Sequence, residues 1–231
     1  MFAFRDTCTL DPAPADAARV EVAFTDASLD LREGSPGFEP GIAALVEATG
    51  VPFARIDQVH GDDVHVVAAA PGADVAVADA LVTAQRGVGL MVRVADCVPV
   101  LLADPGAGVV GAAHAGRAGV ALGVIGRAVE RMRELGAEQT RAWIGPHVCG
   151  RCYEVPATLR DEVAAAVPET RSETSWGTPA LDLGAGVLAQ LAAADVPAVT
   201  VGRCTLEDEQ LHSYRRDGGD AGRLAGLVWI P

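Results

Sequence analysis

The fifteen residues Gly89-Leu-Met-Val-Arg-Val-Ala-Asp-Cys-Val-Pro-Val-Leu-Leu-Ala103 constrain the fold more than any other stretch of the chain. Two strongly apolar runs, Leu90 to Val94 and Val98 to Leu102, flank the polar pair Asp96-Cys97. Short apolar runs of this kind read as buried strands. Pro99 follows the pair, and a proline cannot donate a ladder hydrogen bond, which predicts a bend or a strand edge. Taken alone, Cys97 reads as a small buried hydrophobe, the usual setting of a free cysteine. A thiol and a carboxylate at a break between strands also offer a place for chemistry.

The 231 residues are half apolar, which suits one large core, so a single domain over 1–231 is expected. The formal net charge is −13, and each of the 18 basic residues is an arginine. Without lysine, Schiff-base chemistry and a lysine general base are excluded. An acidic surface argues against nucleic acid or an anionic membrane as partner. A local arginine cluster still leaves room for a small anionic substrate. Five cysteines, at 8, 97, 149, 152 and 204, fit a reducing compartment better than a disulfide framework. The N-terminal residues carry no basic region followed by an apolar one, and no apolar run reaches membrane-spanning length. A cytoplasmic location without a signal peptide is therefore expected.

Along the chain, 11–18 is rich in turn residues, and Arg19 to Phe24 alternates as a half-buried strand should. A helix is expected over Ile42 to Thr49, stopped by Gly50-Val-Pro52. Arg55 to Val67 reads as one or two strands broken at Gly61-Asp62-Asp63, and 70–74 as a loop. Further strands are expected at Ala80 to Thr83, Val109 to Ala113, Arg141 to Ile144, Ala198 to Val201 and Leu227 to Ile230. Asp104 to Gly108 reads as a hairpin turn. The strongest helical pattern runs from Gly119 to Leu135, with Val120, Val124, Ile125, Ala128 and Met132 on one face. Helices are also expected at Pro156 to Val167 and Leu183 to Ala194. Strands crowd the first half, which predicts an α+β domain of mixed layers rather than a regular βαβ array.

Three residues end or interrupt strands in that half: His60, Cys97 and His114. Two imidazoles and a thiolate make a three-ligand metal set with the fourth position open. Each alone reads more simply as a structural residue; what unites them is a neighbouring glycine or proline at a strand end. Zinc suits such donors, with copper the alternative. His114-Ala-Gly-Arg-Ala-Gly119 runs from a strand into a helix, so it is either a tight turn or an anion site to which Arg117 adds charge. Cys149-Gly-Arg-Cys152 reads as two structural thiols, the alternatives being a redox pair or, with His147, a second metal site. Arg215 and Arg216, before Asp217-Gly218, are either a solvated pair or a clamp for phosphate or ribose.

Gln58-Val-His-Gly, Ala95-Asp-Cys-Val-Pro, His114-Ala-Gly, Ile144-Gly-Pro, Tyr153-Glu-Val and Ser213-Tyr-Arg-Arg-Asp-Gly together resemble the laccase-domain family. Its members have been called multicopper polyphenol oxidases, purine nucleoside phosphorylases and peptidoglycan editing factors. The motifs fall in the family's order over nearly the whole chain. The resemblance implies a single-domain, four-layer α/β/β/α sandwich and zinc on His60, Cys97 and His114. It implies phosphorolysis of adenosine, inosine and methylthioadenosine, with adenosine deamination as a side activity, and so purine nucleosides and phosphate as partners. His60, Cys97 and His114 are then the catalytic residues; apart from the resemblance, Arg117, Arg215 and Arg216 are the expected contacts to phosphate or ribose. The family's His-Ala-Gly-Trp-Arg-Gly reads His114-Ala-Gly-Arg-Ala-Gly119 here, so the tryptophan is lost and the arginine displaced. The alternatives are a cell-wall-precursor editing hydrolase with Cys97 as nucleophile, and a copper-dependent polyphenol oxidase. Five histidines without a His-x-His pair exclude a conventional multicopper laccase.

Overall fold

The structure is a computed structural model that describes residues 1–9, 18–69 and 75–231. The turn-rich stretch at 11–18, apart from Ala18, and the loop at 70–74 lie outside the described residues. The chain opens with β1 (Phe2–Cys8), β2 (Val20–Thr25) and α1 (Phe38–Thr49). Short strands follow: β3 (Phe53–Ala54), β4 (Ile56–Asp57), β5 (Val64–Val66) and β6 (Ala76–Val77). Then come β7 (Ala80–Thr83), β8 (Gly89–Val94), β9 (Val98–Asp104) and β10 (Val109–Ala115). The second half holds α2 (Arg117–Leu122), α3 (Val124–Glu134), β11 (Arg141–Ile144), α4 (Ala157–Ala166), β12 (Arg171–Glu173) and β13 (Pro179–Leu181). It closes with α5 (Leu183–Ala193), β14 (Ala198–Thr200), α6 (Tyr214–Asp217) and β15 (Leu224–Trp229).

Two mixed sheets dominate, in the orders β1-β2-β15-β8-β3 and β14-β11-β9-β10-β7-β5. Their facing surfaces share one apolar layer, with Val22, Phe24, Leu90, Val92 and Val228 from the first meeting Leu81, Leu101, Val110 and Trp143 from the second. On the far side of the six-stranded sheet, Val100, Leu102 and Ala113 pack against Ile125, Val129 and Met132 of α3 and Val187 of α5. On the far side of the five-stranded sheet, Met91, Leu227 and Trp229 pack against Leu45 of α1. These three interfaces define the α/β/β/α sandwich. Strands in its middle bury both faces, which is why β9 is apolar at nearly every position instead of alternating. The same reason corrects β2: it is buried along its whole length, not half-buried.

The opening stretch is the crossing between the sheets. β8 belongs to the five-stranded sheet and β9 to the six-stranded one, and Asp96, with φ of 84°, turns the chain from one to the other. Pro99 lies in a central strand, not at an edge. Pairing of β9 with β11 begins only at Val100, so the missing proline N–H removes no bond of that ladder. The hairpin at 104–108 forms as expected, its turn held by Asp104 accepting from the N–H groups of Gly106 and Ala107. The long helix expected from Gly119 to Leu135 is two helices. Gly123 takes a left-handed conformation (φ 86°) that ends α2 and starts α3.

Candidate active site

His60 and Cys97, from two connections, and His114, from the end of a strand, meet at one end of the sandwich. His114 lies near the end of β10, opposite Pro99 in the register, and Cys97 immediately precedes β9. His60 reaches them from the turn between β4 and β5, held at φ 64°, a left-handed conformation that few side chains other than glycine adopt. Left-handed residues at both His60 and Asp96 place backbone strain on either side of the thiol, the setting in which functional sites keep such strain.

The His60 Nε2 atom lies 3.8 Å from Cys97 Sγ, and the two imidazole rings meet edge to face with centroids 4.8 Å apart. All three donor atoms fall within 4.8 Å of one another. A tetrahedral zinc with ordinary bond lengths separates a nitrogen and a sulfur ligand by about 3.6 Å, so the donor set fits such an ion with little movement. Gly116 keeps the space open: a Cβ there would stand 2.5 Å from the His60 ring.

Asp79, wholly buried just before β7, organises the group. Its Oδ1 accepts from His114 Nδ1 at 2.7 Å and from the His60 backbone N–H at 3.0 Å. Its Oδ2 accepts from the N–H groups of Gly61 at 2.6 Å and Val59 at 3.2 Å. One carboxylate thus fixes the His114 tautomer, with Nε2 left for the site, and shapes the strained turn carrying His60. Burial opposes ionisation of Asp79, but the hydrogen bonds from His114 and Gly61 outweigh it and hold the carboxyl below its usual range. Burial likewise opposes the Cys97 thiolate, yet hydrogen bonds and charge from His114 and His60 bring that thiol down to about 6. His114 is pushed up to about 9, its burial outweighed by Asp79 and Cys97.

The three residues line a cavity of about 580 Å³ with Arg32, Arg93, Arg215, Arg223, Tyr153 and Tyr214 on its walls. That volume is within the range of small-molecule sites. Arg215 stacks over the Tyr153 ring, 4.7 Å from its centroid, and donates to the Glu154 carbonyl. Arg93 is braced by Glu33 at 2.9 Å and by a two-way bond with Gln58, whose side chain accepts from the Arg93 N–H and donates to its carbonyl.

Of the three arginines expected at the substrate, only Arg215 lines the cavity. Arg216 turns its guanidinium to the carbonyls of Thr205, Asp208 and Leu211 and to Asp217, so it pins a loop. Arg117 opens a six-residue helix and is not among the cavity-lining residues; the broken helix leaves no long dipole behind it. Sequence reasoning missed Asp79, Arg32, Arg93 and Arg223. Asp96 supports the bend as expected: its Oδ1 accepts from Thr205 Oγ1 at 2.6 Å and its Oδ2 from the Arg215 N–H at 2.7 Å. A second potential ligand group joins Cys149 and Cys152 to Cys204 and Glu207; His147 is not part of it.

A family model described as multi-copper polyphenol oxidoreductase laccase matches residues 40–231. The chain belongs to this family. A Streptomyces griseus protein named purine nucleoside phosphorylase is 59% identical over 180 residues, covering 76% of this chain and 73% of that protein. A Streptomyces coelicolor protein of the same name is 51% identical over 210 residues, covering 85% and 86%. Among solved structures, YlmD from Geobacillus stearothermophilus matches with a TM-score of 0.79 at 31% identity over 94% of each chain. A Neisseria meningitidis protein matches with a TM-score of 0.81 at 28% identity over 98% of each. The α/β/β/α arrangement is the fold of these relatives.

Proposed function

We propose that this protein is a zinc-dependent purine nucleoside phosphorylase, with His60, Cys97 and His114 as its metal ligands and deamination of adenosine as a second activity. The observation that carries the reading is the His-Cys-His donor set, braced by Asp79, at an arginine-lined cavity of about 580 Å³. The relatives named purine nucleoside phosphorylase supply the substrate class. His60, Cys97 and His114 would hold the zinc, which would supply Lewis-acid polarisation.

The remaining roles fall to the chain's own groups. Arg215, Arg93, Arg32 and Arg223 hold the phosphate, whose oxygen attacks C1′ of the ribose. The glycosidic electron pair leaves with the purine nitrogen, which takes a proton from solvent as the base departs. Tyr214, more than half exposed at the rim, offers a face on which a purine can stack. Tyr153 and Glu154 fix the direction of the Arg215 guanidinium, which forms charge-assisted hydrogen bonds to the anion. Adenosine, inosine and methylthioadenosine are the expected substrates.

One observation favours a second reading. Cys97, His114 and Asp79 are also ordered as nucleophile, base and orienting acid, and the thiol is brought down to about 6. In that reading Cys97 is metal-free and attacks an acyl carbon of a cell-wall precursor. Incubation with adenosine, with and without phosphate, followed chromatographically, tests the first. Adenine formed only with phosphate, and absent in Cys97→Ala, is expected. If neither adenine, hypoxanthine nor inosine forms above that control, the substrate class is wrong. Metal analysis of protein purified without added metal separates the readings: zinc lost on replacing Cys97 supports the first, and no zinc at the triad supports the second.

A further inference from the structure

Outside the cavity, the Sγ atoms of Cys149, Cys152 and Cys204 and a carboxylate oxygen of Glu207 lie within 4.8 Å of one another. Cys149 and Cys152 belong to the connection between β11 and α4, while Cys204 and Glu207 follow β14. From this juxtaposition we infer a second, structural metal site, in which Cys149, Cys152, Cys204 and Glu207 hold a zinc ion with all four positions filled by protein.

Four features carry it. Tetrahedral zinc places two sulfur ligands about 3.8 Å apart, so the group closes on an ion by a contraction of less than about 1 Å. The Cys-x-x-Cys segment is already bent as a ligand loop: the N–H groups of Cys152 and Tyr153 both donate to the Cys149 carbonyl, at 2.9 and 3.0 Å. The Cys149 N–H points at Cys204 Sγ from 3.4 Å, a bond that strengthens when the sulfur is a thiolate. The two ligand-bearing segments are also paired directly, through a parallel bridge between His147 and Cys204 and a bond from the Thr205 N–H to the His147 carbonyl at 3.0 Å.

The competing roles fit less well. A redox pair opens a helix in units of that kind, whereas α4 begins only at Ala157, beyond both thiols. A dithiol also has no use for a third sulfur and a carboxylate converging on it. His147 cannot be the fourth ligand: its Nδ1 is engaged with the Gly145 carbonyl at 2.8 Å, and its Nε2 packs against Gly184. Cys152 and Cys204 are buried, Cys149 is half-buried and Glu207 reaches the surface, so the sulfurs lie mostly inside the protein. Binding replaces three thiol protons, which go to solvent, while the carboxylate enters ionised. No oxidant or reductant takes part.

The site would tie a segment of the cavity wall, carrying Val148 and Tyr153, to one that supports the wall from behind, where Thr205 bonds Asp96. The test is made in a Cys97→Ala background, where the cavity triad has lost its thiolate. Protein purified without added metal is expected to retain about one zinc per chain. Replacing that zinc with cobalt is expected to give thiolate-to-cobalt charge-transfer absorption. Adding Cys149→Ser and Cys204→Ser is expected to abolish both signals. Should that triple variant fail to fold, the cobalt spectrum of Cys97→Ala decides by itself, and Glu207→Gln should keep the sulfur band while weakening cobalt binding. Folded Cys97→Ala protein that holds no zinc and gives no sulfur band with cobalt overturns the inference. So does a Cys149–Cys152 disulfide in protein purified under reducing, anaerobic conditions.

Discussion

The role of Asp79 can be tested by removing its charge with almost no change in shape. In Asp79→Asn one carboxylate oxygen becomes an amino group, a donor. Both oxygens now accept two bonds each, Oδ1 from His114 and His60 and Oδ2 from Gly61 and Val59. Whichever oxygen is lost, a pair of donors faces another donor in a site with no solvent exposure. An unsatisfied buried donor costs about 1–3 kcal/mol, and a hydrogen bond to a charged group contributes about 1.5–3 kcal/mol. Together these bracket the loss of about 3–5 kcal/mol expected on breaking a buried charged pair. For a chain of this length that lowers Tm by about 6–20 °C, at about 2–4 °C per kcal/mol. The folded carboxyl sits below its usual range, so its stabilisation is present above about pH 3.9 and is lost as pH falls through the folded value. The deficit of the variant therefore shrinks in acid. Removing the orienting partner of a ligating histidine also weakens zinc binding by about 10–100-fold. Circular dichroism melts with and without zinc, and zinc competition against a chelator, measure the two effects. A double-mutant cycle with His114→Ala separates the bond to the ring from the bonds to the 59–61 turn. An unchanged melting transition with unchanged zinc affinity would refute the assignment.

Other outcomes follow from the same geometry. In metal-free protein, alkylation of Cys97 should rise with a midpoint near pH 6, far below the ordinary thiol value of 9.0, and zinc should suppress it; a midpoint near the ordinary value sinks the thiolate assignment. Arg215→Ala should raise the KM for phosphate by about tenfold or more, the worth of one charge-assisted bond, while Arg117→Ala leaves it nearly unchanged. Equal effects from the two in steady-state kinetics would show that the cavity wall has been wrongly drawn. Asp96→Ala and Asp96→Gly lose the same side-chain bonds, but only glycine suits φ of 84°. The alanine variant should therefore be less stable in urea by about 1–2 kcal/mol, and equal stabilities would mean that the backbone relaxes there.

Much of this was legible because burial writes itself into composition. β9 is apolar on both faces, so its sequence is a continuous run, and the polar interruption before it marks the crossing between sheets. The meeting of His60, Cys97 and His114 could be read from three donors beside strand breaks, since strand ends are where side chains from distant segments meet. Asp79 could not. In Ala78-Asp79-Ala80 it looks like any acid before a strand, and its partner His114 is 35 residues away. Arg32, Arg93 and Arg223 were hidden for a related reason: an arginine in a loop or strand carries no mark of the cavity it faces. The helix break at Gly123 was masked because the apolar positions of α2 and α3, spaced as one helix would space them, face the same core. β1 starts apolar and ends polar, and only its pairing with β2 distinguishes it from a tail.

Asp96 is held from three sides: one oxygen by Thr205, the other by the Arg215 N–H, and its carbonyl by the Val148 N–H at 3.0 Å. Val148 and Thr205 are the sequence neighbours of Cys149 and Cys204, and Asp96 itself is the neighbour of Cys97. One residue of the cavity wall is therefore bonded to the chain neighbours of two cysteines of the cluster. Where ordering at the cluster or at the cavity shifts Asp96, thermodynamic reciprocity requires an equal influence in the other direction. A substitution at Asp96 removes the side-chain bond to the segment after Cys204, while the backbone bond to the segment before Cys149 stays, so its consequences reach beyond the cavity.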